Sequence, residues 1–523
     1  MLLHDAFMQT AQRLADKCAL ISGEQRLHYR QLYRQVLALA DVLRNDGVAP
    51  GDRVLLLLEN SIEYAVAVHA VWVAGGVAVP INPMAKADKV GFIAADTRAT
   101  ALLTHALLAP AWQPALERSP NILVCRVAGA LDAVRGDARV RAWPADDASG
   151  SMRPAQRSEQ DLAALIYTSG TTGRPKGVML SHLNMTSAWA SVQAYLGLRE
   201  TDVIGLALPP AFSYGLYNLL MGLGIGATVV LERSVAFPVK IAETLQRERV
   251  TVFPGVPTLF GALLDLSTLA RYDLRSVRLL TSAAAALPDR HLHGLRGAFP
   301  QAQLYVMYGL TECKRASYLP PDEIETHPGS VGRGMPNQEH WLVDDDGRRL
   351  ASGATGELVV RGKHVMQGYW ERPAETAERL RVDPSDGAPV LHTGDLFRSD
   401  SDGYLYFVAR KDDIIKTRGE KVAPREVENV IYQLGDVTGC AVIGVADDAL
   451  GEAVKAFVTV RPGSRLVPRD IIRHCQASLE NFMAPKYVEI VETLPRTESG
   501  KIRHASLREK RGSSLTLDAQ RRR

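Results

Sequence analysis

Between Tyr167 and His182 the chain reads YTSGTTGRPKGVMLSH, where Gly170, Gly173 and Gly177 are interleaved with Thr168, Ser169, Thr171 and Thr172, and Lys176 follows. Glycines let such a segment turn tightly and aim backbone N–H groups at one point, and N–H groups, hydroxyls and a mobile ammonium together suit phosphate oxygens. The string is not a Walker A loop: Pro175 stands before the lysine where that pattern has glycine, and Gly177 follows where it has Ser or Thr. An ordinary P-loop nucleotidase is therefore disfavoured, and an anion-binding loop of another kind is expected rather than a plain surface turn. Three later groups could also do chemistry. Tyr308-Gly309-Leu310-Thr311-Glu312-Cys313 offers an aromatic face, a hydroxyl and a hard carboxylate oxygen, although a Tyr-Gly at a strand end is by itself more often a turn. Asp395 and Arg410 are as readily a turn residue and a surface charge as they are ligands. Lys501, within PRTESGKIRH, reads alone as a solvated lysine.

These groups need rigid elements to hold them. At 523 residues the chain has room for about three structural units and a large core. Its 46% hydrophobic and 23% charged residues are those of an ordinary globular protein. Leu32, Val36, Leu39 and Leu43 share one helical face that Gly47 closes, and Val54 to Leu58 is a short apolar strand. Buried strands are predicted at Leu162 to Tyr167, Thr228 to Leu231, Val250 to Phe253, Val277 to Thr281 and Leu304 to Met307, with helical stretches between most of them, which is α/β patterning. From Trp341 strands joined by Asp346-Gly347 and Asp402-Gly403 turns predict a β-rich subdomain. After Arg410 a compact α/β segment follows, with a helix near Glu426 to Leu434 and strands near Ala441 to Val445 and Ala456 to Val460. A boundary is placed at 410 to 413. This divides the chain into a large domain 1–410 of α/β subdomains plus the β-rich part, a small α/β domain 411–508, and a basic tail 509–523. The polar run Asp137 to Gln160 is expected to be weakly structured.

The net charge of +3 gives no argument for nucleic acid or an anionic membrane as partner, and Arg521, Arg522 and Arg523 read as a solvated tail. Cys18, Cys125, Cys313, Cys440 and Cys475 are scattered without metal-ligand or redox spacing, which fits a reducing cytoplasm. The N-terminus carries no signal-peptide core. The longest apolar stretch, Tyr64 to Ile81, is interrupted by His69, Gly75, Gly76 and Pro80, so a helix, a turn and a strand are expected rather than a membrane span.

Taken in order, the motifs from Thr168 to Lys501 resemble those of the superfamily of acyl-CoA synthetases, peptide-synthetase adenylation domains and luciferases. The resemblance implies an AMP-forming ligase with a mobile C-terminal domain, using ATP, Mg²⁺ and coenzyme A. It implies that Thr168, Ser169, Gly170, Thr171, Thr172, Gly173 and Lys176 cradle phosphates, that Tyr308 stacks on adenine beside Ala284 and Gly309, and that Thr311 contacts the phosphates while Glu312 holds the metal. It further implies that Asp395 accepts hydrogen bonds from both ribose hydroxyls and that Arg410 binds nucleotide. Asp412 falls at the family's hinge, with Lys416, Gly419 and Lys421 facing the site during thiol transfer. Lys501 would reach the α-phosphate and the substrate carboxylate during adenylation, and catalysis would then rest on Lys501, Glu312, Lys176 and Thr168.

The same resemblance places the acyl pocket at LPPAFSYGLYN, with Phe212, Ser213, Tyr214, Gly215, Ala283 and Gly309. Phe212 stands where many such ligases have histidine, and Ser213 stands where amino-acid-activating domains usually have aspartate, which disfavours an α-amino acid. Ala283 replaces the more usual glycine and narrows the pocket. An apolar acid, fatty or aromatic, is expected. The acceptor thiol is either coenzyme A or the phosphopantetheine of an acyl or peptidyl carrier protein, and a non-catalytic nucleotide-binding scaffold is the reading from another class.

Overall fold

The computed structural model describes residues 1–131, 136–145, 152–169, 175–417, 420–447, 450–496 and 502–509. By spatial contact the chain forms two compact units, Met1–Glu339 with Val360–Leu391, and His340–Val359 with His392–Arg523. This contact division does not fall at 410 to 413, because His340–Val359 and His392–Arg410 group with the C-terminal segment.

The first unit holds two large sheets. In one, six mutually parallel strands run in the order Gln303–Leu310, Leu279–Ser282, Val252–Gly255, Val203–Leu206, Thr228–Leu231, Cys18–Ser22, with antiparallel strands at both edges. In the other, parallel strands Leu162–Ser169, Val77–Ile81, Arg53–Leu57, Ala101–His105 and Val124–Ala128 are extended antiparallel on one side by Pro175–Ser181 and Gly368–Tyr369. Strands buried on both faces must be apolar throughout, and Val77–Ile81 is buried at every position.

Local sequence explains most element ends. Leu32, Val36, Leu39 and Leu43 are all fully buried on the helix Tyr29–Asn45, and Gly47 takes the left-handed φ of 96° just beyond it. The apolar run resolves as expected into the helix Ile62–Val73, a turn and the strand Val77–Ile81. The Ser61 hydroxyl accepts from the Tyr64 N–H to open that helix, and Gly75, at φ 85°, turns the chain where a Cβ would meet Ala155 at 2.8 Å. Two strands begin two residues later than predicted, at Val252 and Leu279. Val250 and Val277 are buried but lie in the turns before the strands, where their N–H groups bond Leu245 O and Leu274 O. Inside the polar run, Val140–Ala142 joins the sheet edge as a short strand. No helix among the described residues is long and apolar enough to cross a membrane.

In the second unit Asp395 to Ser399 pair antiparallel with the strand Leu405–Arg410. A separate sheet joins Val437–Asp447, Gly451–Val460, Ile415–Thr417, Glu420–Val422 and Tyr487–Ile490, packed by the helices Pro424–Ile431 and Pro468–Ser478. Ile415, Val422, Val427, Ile431, Val442 and Val458 are buried in its core.

Candidate active site

The glycine- and hydroxyl-rich segment sits at the end of an antiparallel hairpin, Leu162–Ser169 with Pro175–Ser181, in which Thr168 faces Lys176 and Ser169 faces Pro175. Gly170, Thr171, Thr172 and Gly173 lie outside the described residues, as does the side chain of Ser169. A Walker A loop runs from strand into helix; here a second strand intervenes, and the helix His182–Leu196 begins only after it. Its start is fixed by a reciprocal cap, the Asn184 N–H donating to the Ser181 hydroxyl and the Ser181 N–H to Asn184 Oδ1. Asp96 anchors the hairpin from outside: it accepts from the Tyr167 hydroxyl at 2.6 Å and the Arg372 guanidinium at 2.8 Å. Gly177 packs closely on the Tyr167 ring, where a Cβ would lie 3.1 Å from it and the ring would have to give way slightly.

A second hairpin, Gln303–Leu310 with Cys313–Leu319, pairs Leu310 with Cys313, so Thr311 and Glu312 occupy its two-residue turn. Gly309 approaches the facing strand closely, and a Cβ there would lie 3.0 Å from Arg315 Cα. Tyr308 is half-buried on the same strand. The tip of this hairpin is tied to the first hairpin by a residue that sequence reasoning missed. Tyr369 pairs with Val178 as part of the short strand Gly368–Tyr369. Its hydroxyl donates to Glu312 Oε1 at 2.8 Å, and its ring lies 5.5 Å from Lys176 Nζ. Three expected or missed groups are thereby brought to one place from positions spread over nearly two hundred residues. The available signal was the aromatic pair Tyr369-Trp370 directly after a glycine.

On the strand leading away from Glu312, Lys314 and Arg315 are 4% and 5% exposed. Lys314 Nζ donates to Ser213 O at 2.9 Å and sits 5.0 Å and 4.4 Å from the Tyr214 and Tyr217 ring centres; the Arg315 guanidinium is 4.6 Å from the Tyr214 ring. The Tyr214 hydroxyl is committed to Thr281, bonding its carbonyl at 2.9 Å and its hydroxyl at 2.7 Å. Thus Ser213, Tyr214 and Gly309, three of the expected acyl-pocket residues, meet this cationic pair. Phe212 is half-buried immediately before the helix Ser213–Ile225. Gly215 packs against the Pro209 carbonyl with no space for a Cβ, and Ala283 is buried. Ala284 holds a left-handed φ of 75°, a backbone strain of about 1 kcal/mol or more for a residue with a Cβ. Ser282, at the carboxyl end of its parallel strand, has a buried hydroxyl without a hydrogen-bond partner among the described residues.

The second unit carries the remaining expected residues. Asp395, 5% exposed, stands opposite Arg410 in register, with Arg410 Nε 3.4 Å from Asp395 Oδ1. Beside them Glu357 accepts from the Gly394 N–H at 2.9 Å and lies 3.5 Å from His392 and 3.3 Å from Lys411. Burial opposes ionisation of Glu357, but the nearby His392 ring, the Gly394 N–H hydrogen bond and the Lys411 charge outweigh it and hold the carboxyl at about 2. Asp412 is exposed in the single turn Lys411–Asp413. Lys416 is exposed and faces Lys421 across two short strands, its N–H bonded to Glu452. Gly419, the Lys421 side chain and Lys501 lie outside the described residues; Arg496 and Ile502, which flank Lys501, form an antiparallel bridge.

Among the described residues no group of three His, Cys, Asp or Glu side chains could cage a metal. Glu312 nevertheless suits one hard cation, since Mg²⁺ is commonly held by one or two carboxylates, with phosphates and water completing its shell.

Two family matches cover most of the chain: the AMP-binding enzyme family over residues 7–370 and the AMP-binding enzyme C-terminal domain over 426–501. A long-chain-fatty-acid–CoA ligase of Salmonella typhimurium is 32% identical, covering 97% of this chain and 94% of the relative. A feruloyl-CoA synthase of an Amycolatopsis species is 36% identical, with 94% and 96% covered. Among solved structures, an anthranilate CoA ligase in complex with anthranoyl-AMP superposes with a TM-score of 0.88 at 27% identity, covering 99% of this chain and 98% of that one.

Proposed function

The chain belongs to the AMP-binding enzyme family, and from that premise we propose how its residues carry out the reaction. The enzyme is an AMP-forming acid–thiol ligase: it activates a fatty or aromatic carboxylic acid with ATP to an acyl adenylate and transfers the acyl group to coenzyme A. The chemistry requires two steps. A carboxylate is a poor acyl donor because its carbonyl carbon is shielded by charge and oxide cannot leave. A carboxylate oxygen attacks the α-phosphorus, the bond to the bridging oxygen breaks, and pyrophosphate departs. The coenzyme A thiolate then adds to the acyl carbon and AMP leaves.

The observation that carries the assignment of roles is the convergence of Lys176, Tyr369 and Glu312 at the ends of two hairpins. In this proposal Lys176 and Thr168 neutralise phosphate charge together with Ser169, Gly170, Thr171, Thr172, Gly173 and Thr311. Tyr308 stacks on adenine beside Ala284 and Gly309, Asp395 binds the ribose hydroxyls, and Arg410 assists. Mg²⁺, held by Glu312, supplies charge stabilisation to the phosphates when bound. Lys501 acts in adenylation, and a turn about Asp412 brings Lys416, Gly419 and Lys421 into play for thiol transfer, with 411–508 as the moving module. Phe212, Ser213, Tyr214, Gly215 and Ala283 begin the acyl pocket. The five free thiols support a cytoplasmic setting. Acid-dependent pyrophosphate release followed by mass spectrometry of the thioester tests this. Release with any acid and a coenzyme A thioester support it, a thioester on a holo carrier protein alone moves the acceptor to that partner, and no release with any acid leaves only the scaffold reading.

A further inference from the structure

Lys314 and Arg315 are adjacent on the strand Cys313–Leu319, each at least nineteen-twentieths buried, and neither meets a carboxylate among the described residues. Lys314 spends one of its three donors on Ser213 O. Arg315 makes no hydrogen bond there, and its Nε is fully buried without a partner. The Tyr214 and Tyr217 faces attract both cations, but the pull of an aromatic face is smaller than the penalty of burying an unpaired ion. Lys314 also lies at the start of the helix Ser213–Ile225, the end whose dipole repels a cation. Burial, with the Arg315 charge beside it, pushes the Lys314 ammonium well below its ordinary range. Buried charges are normally paired. Two neighbouring ones left without a counter-charge against the start of the acyl pocket are groups prepared for an anion the protein does not itself provide.

We propose that the acyl pocket selects an acid bearing a second anionic group besides the carboxylate that is activated, and that Lys314 and Arg315 hold this second group. This rests on the reading of the chain as an acyl-CoA ligase and adds to it a demand on the substrate. The guanidinium fork matches a carboxylate edge with two parallel hydrogen bonds, and the free donors of Lys314 add a third. The carbon body between the two groups remains fatty or aromatic, in keeping with the Tyr214 and Tyr217 rings. Ser282 Oγ and Gln338 Oε1 are further buried polar atoms without partners, and Gln338 reaches the carbonyl of Ala316, the residue after Arg315.

The intact enzyme is assayed for acid-dependent pyrophosphate release with matched probes: short, medium and long α,ω-dicarboxylic acids and terephthalate, each beside the monocarboxylic acid lacking the distal carboxylate. At least one dicarboxylic acid is expected to exceed its partner in kcat/KM by about tenfold or more. In Arg315→Met and Lys314→Met that preference falls to unity or reverses, while the KM for ATP changes little. Monocarboxylic acids used as well as or better than their partners throughout the panel overturn the inference and leave the ligase intact. Pyrophosphate from no acid at all overturns the ligase reading, and the inference with it. Because the wild-type panel decides by itself, a variant that fails to fold does not rescue the proposal.

Discussion

In the second unit Glu357 gathers His392, Lys411 and the Gly394 amide, and Asp395 stands opposite Arg410. In the first unit Lys176, Lys314 and Arg315 face aromatic rings, and none is paired with a carboxylate among the described residues. Paired charges satisfy one another and hold a shape whether or not a ligand is bound. Cations against rings are held in position but not neutralised, so their electrostatic demand is met only by what binds. The first unit thus concentrates unmet positive charge where phosphate and acyl acid are expected, and the second contributes pre-formed polar geometry.

The largest expected effect comes from removing a positive charge that this contrast leaves out, on the C-terminal segment of the second unit. Lys501→Ala is expected to lower adenylation, read as pyrophosphate release, by about 10²-fold or more, while thiol transfer from a preformed adenylate suffers much less. Equal losses in both steps would count against separate arrangements for the two half-reactions. Tyr369→Phe keeps the ring beside Lys176 and deletes the hydroxyl that bonds Glu312. It should reduce kcat/KM for ATP by about tenfold and raise the Mg²⁺ concentration needed for half-maximal rate, and an unaltered Mg²⁺ dependence would remove Tyr369 from the site.

Loosening a paired charge should do less. Arg410 is 53% exposed at its side chain, so Arg410→Gln is expected to raise the KM for ATP a few-fold and to move the melting temperature little. The smallest effect concerns Glu428, whose carboxyl is pushed by burial up to about 7 against the Val442 N–H and the Arg425 charge, with Asp413 adding to the rise. A carboxyl whose pKa is raised on folding stabilises the fold fully below its ordinary value near 4.5, and that contribution is lost as pH climbs through about 7. Glu428→Gln should therefore flatten the fall in melting temperature across that window. Parallel curves for the two proteins would contradict the shift.

Much of the fold was legible from periodicity, because burial imposes its period on whichever residues fill an element. The strand Thr228–Leu231 falls where its apolar run does, and the run ending at Ile81 breaks at Gly75. Element starts at Val252 and Leu279 were not legible: apolar residues also fill the turns that cap a core, so hydrophobicity marks burial without marking pairing. Of the candidate site, the order of motifs singled out the hairpin carrying Thr168 and Lys176, the turn carrying Glu312, and Asp395, whose roles are proposals. Tyr369 stayed hidden, since its partners Glu312 and Lys176 are remote along the chain and its one local sign, an aromatic pair after a glycine, points to no partner.

By itself the sequence determined the chemistry available, namely which hydroxyls, carboxylates and amines exist and in what order they come, because residue identity and local periodicity are properties of neighbouring positions. Only the tertiary structure decided which of those charges would be answered from within the protein. Lys314 and Arg315 look like any surface pair in a string of letters. That they are buried beside Tyr214 with no carboxylate near among the described residues is a fact about distances through space, and electrostatic energy depends on those distances and on the surrounding medium, not on separation along the chain.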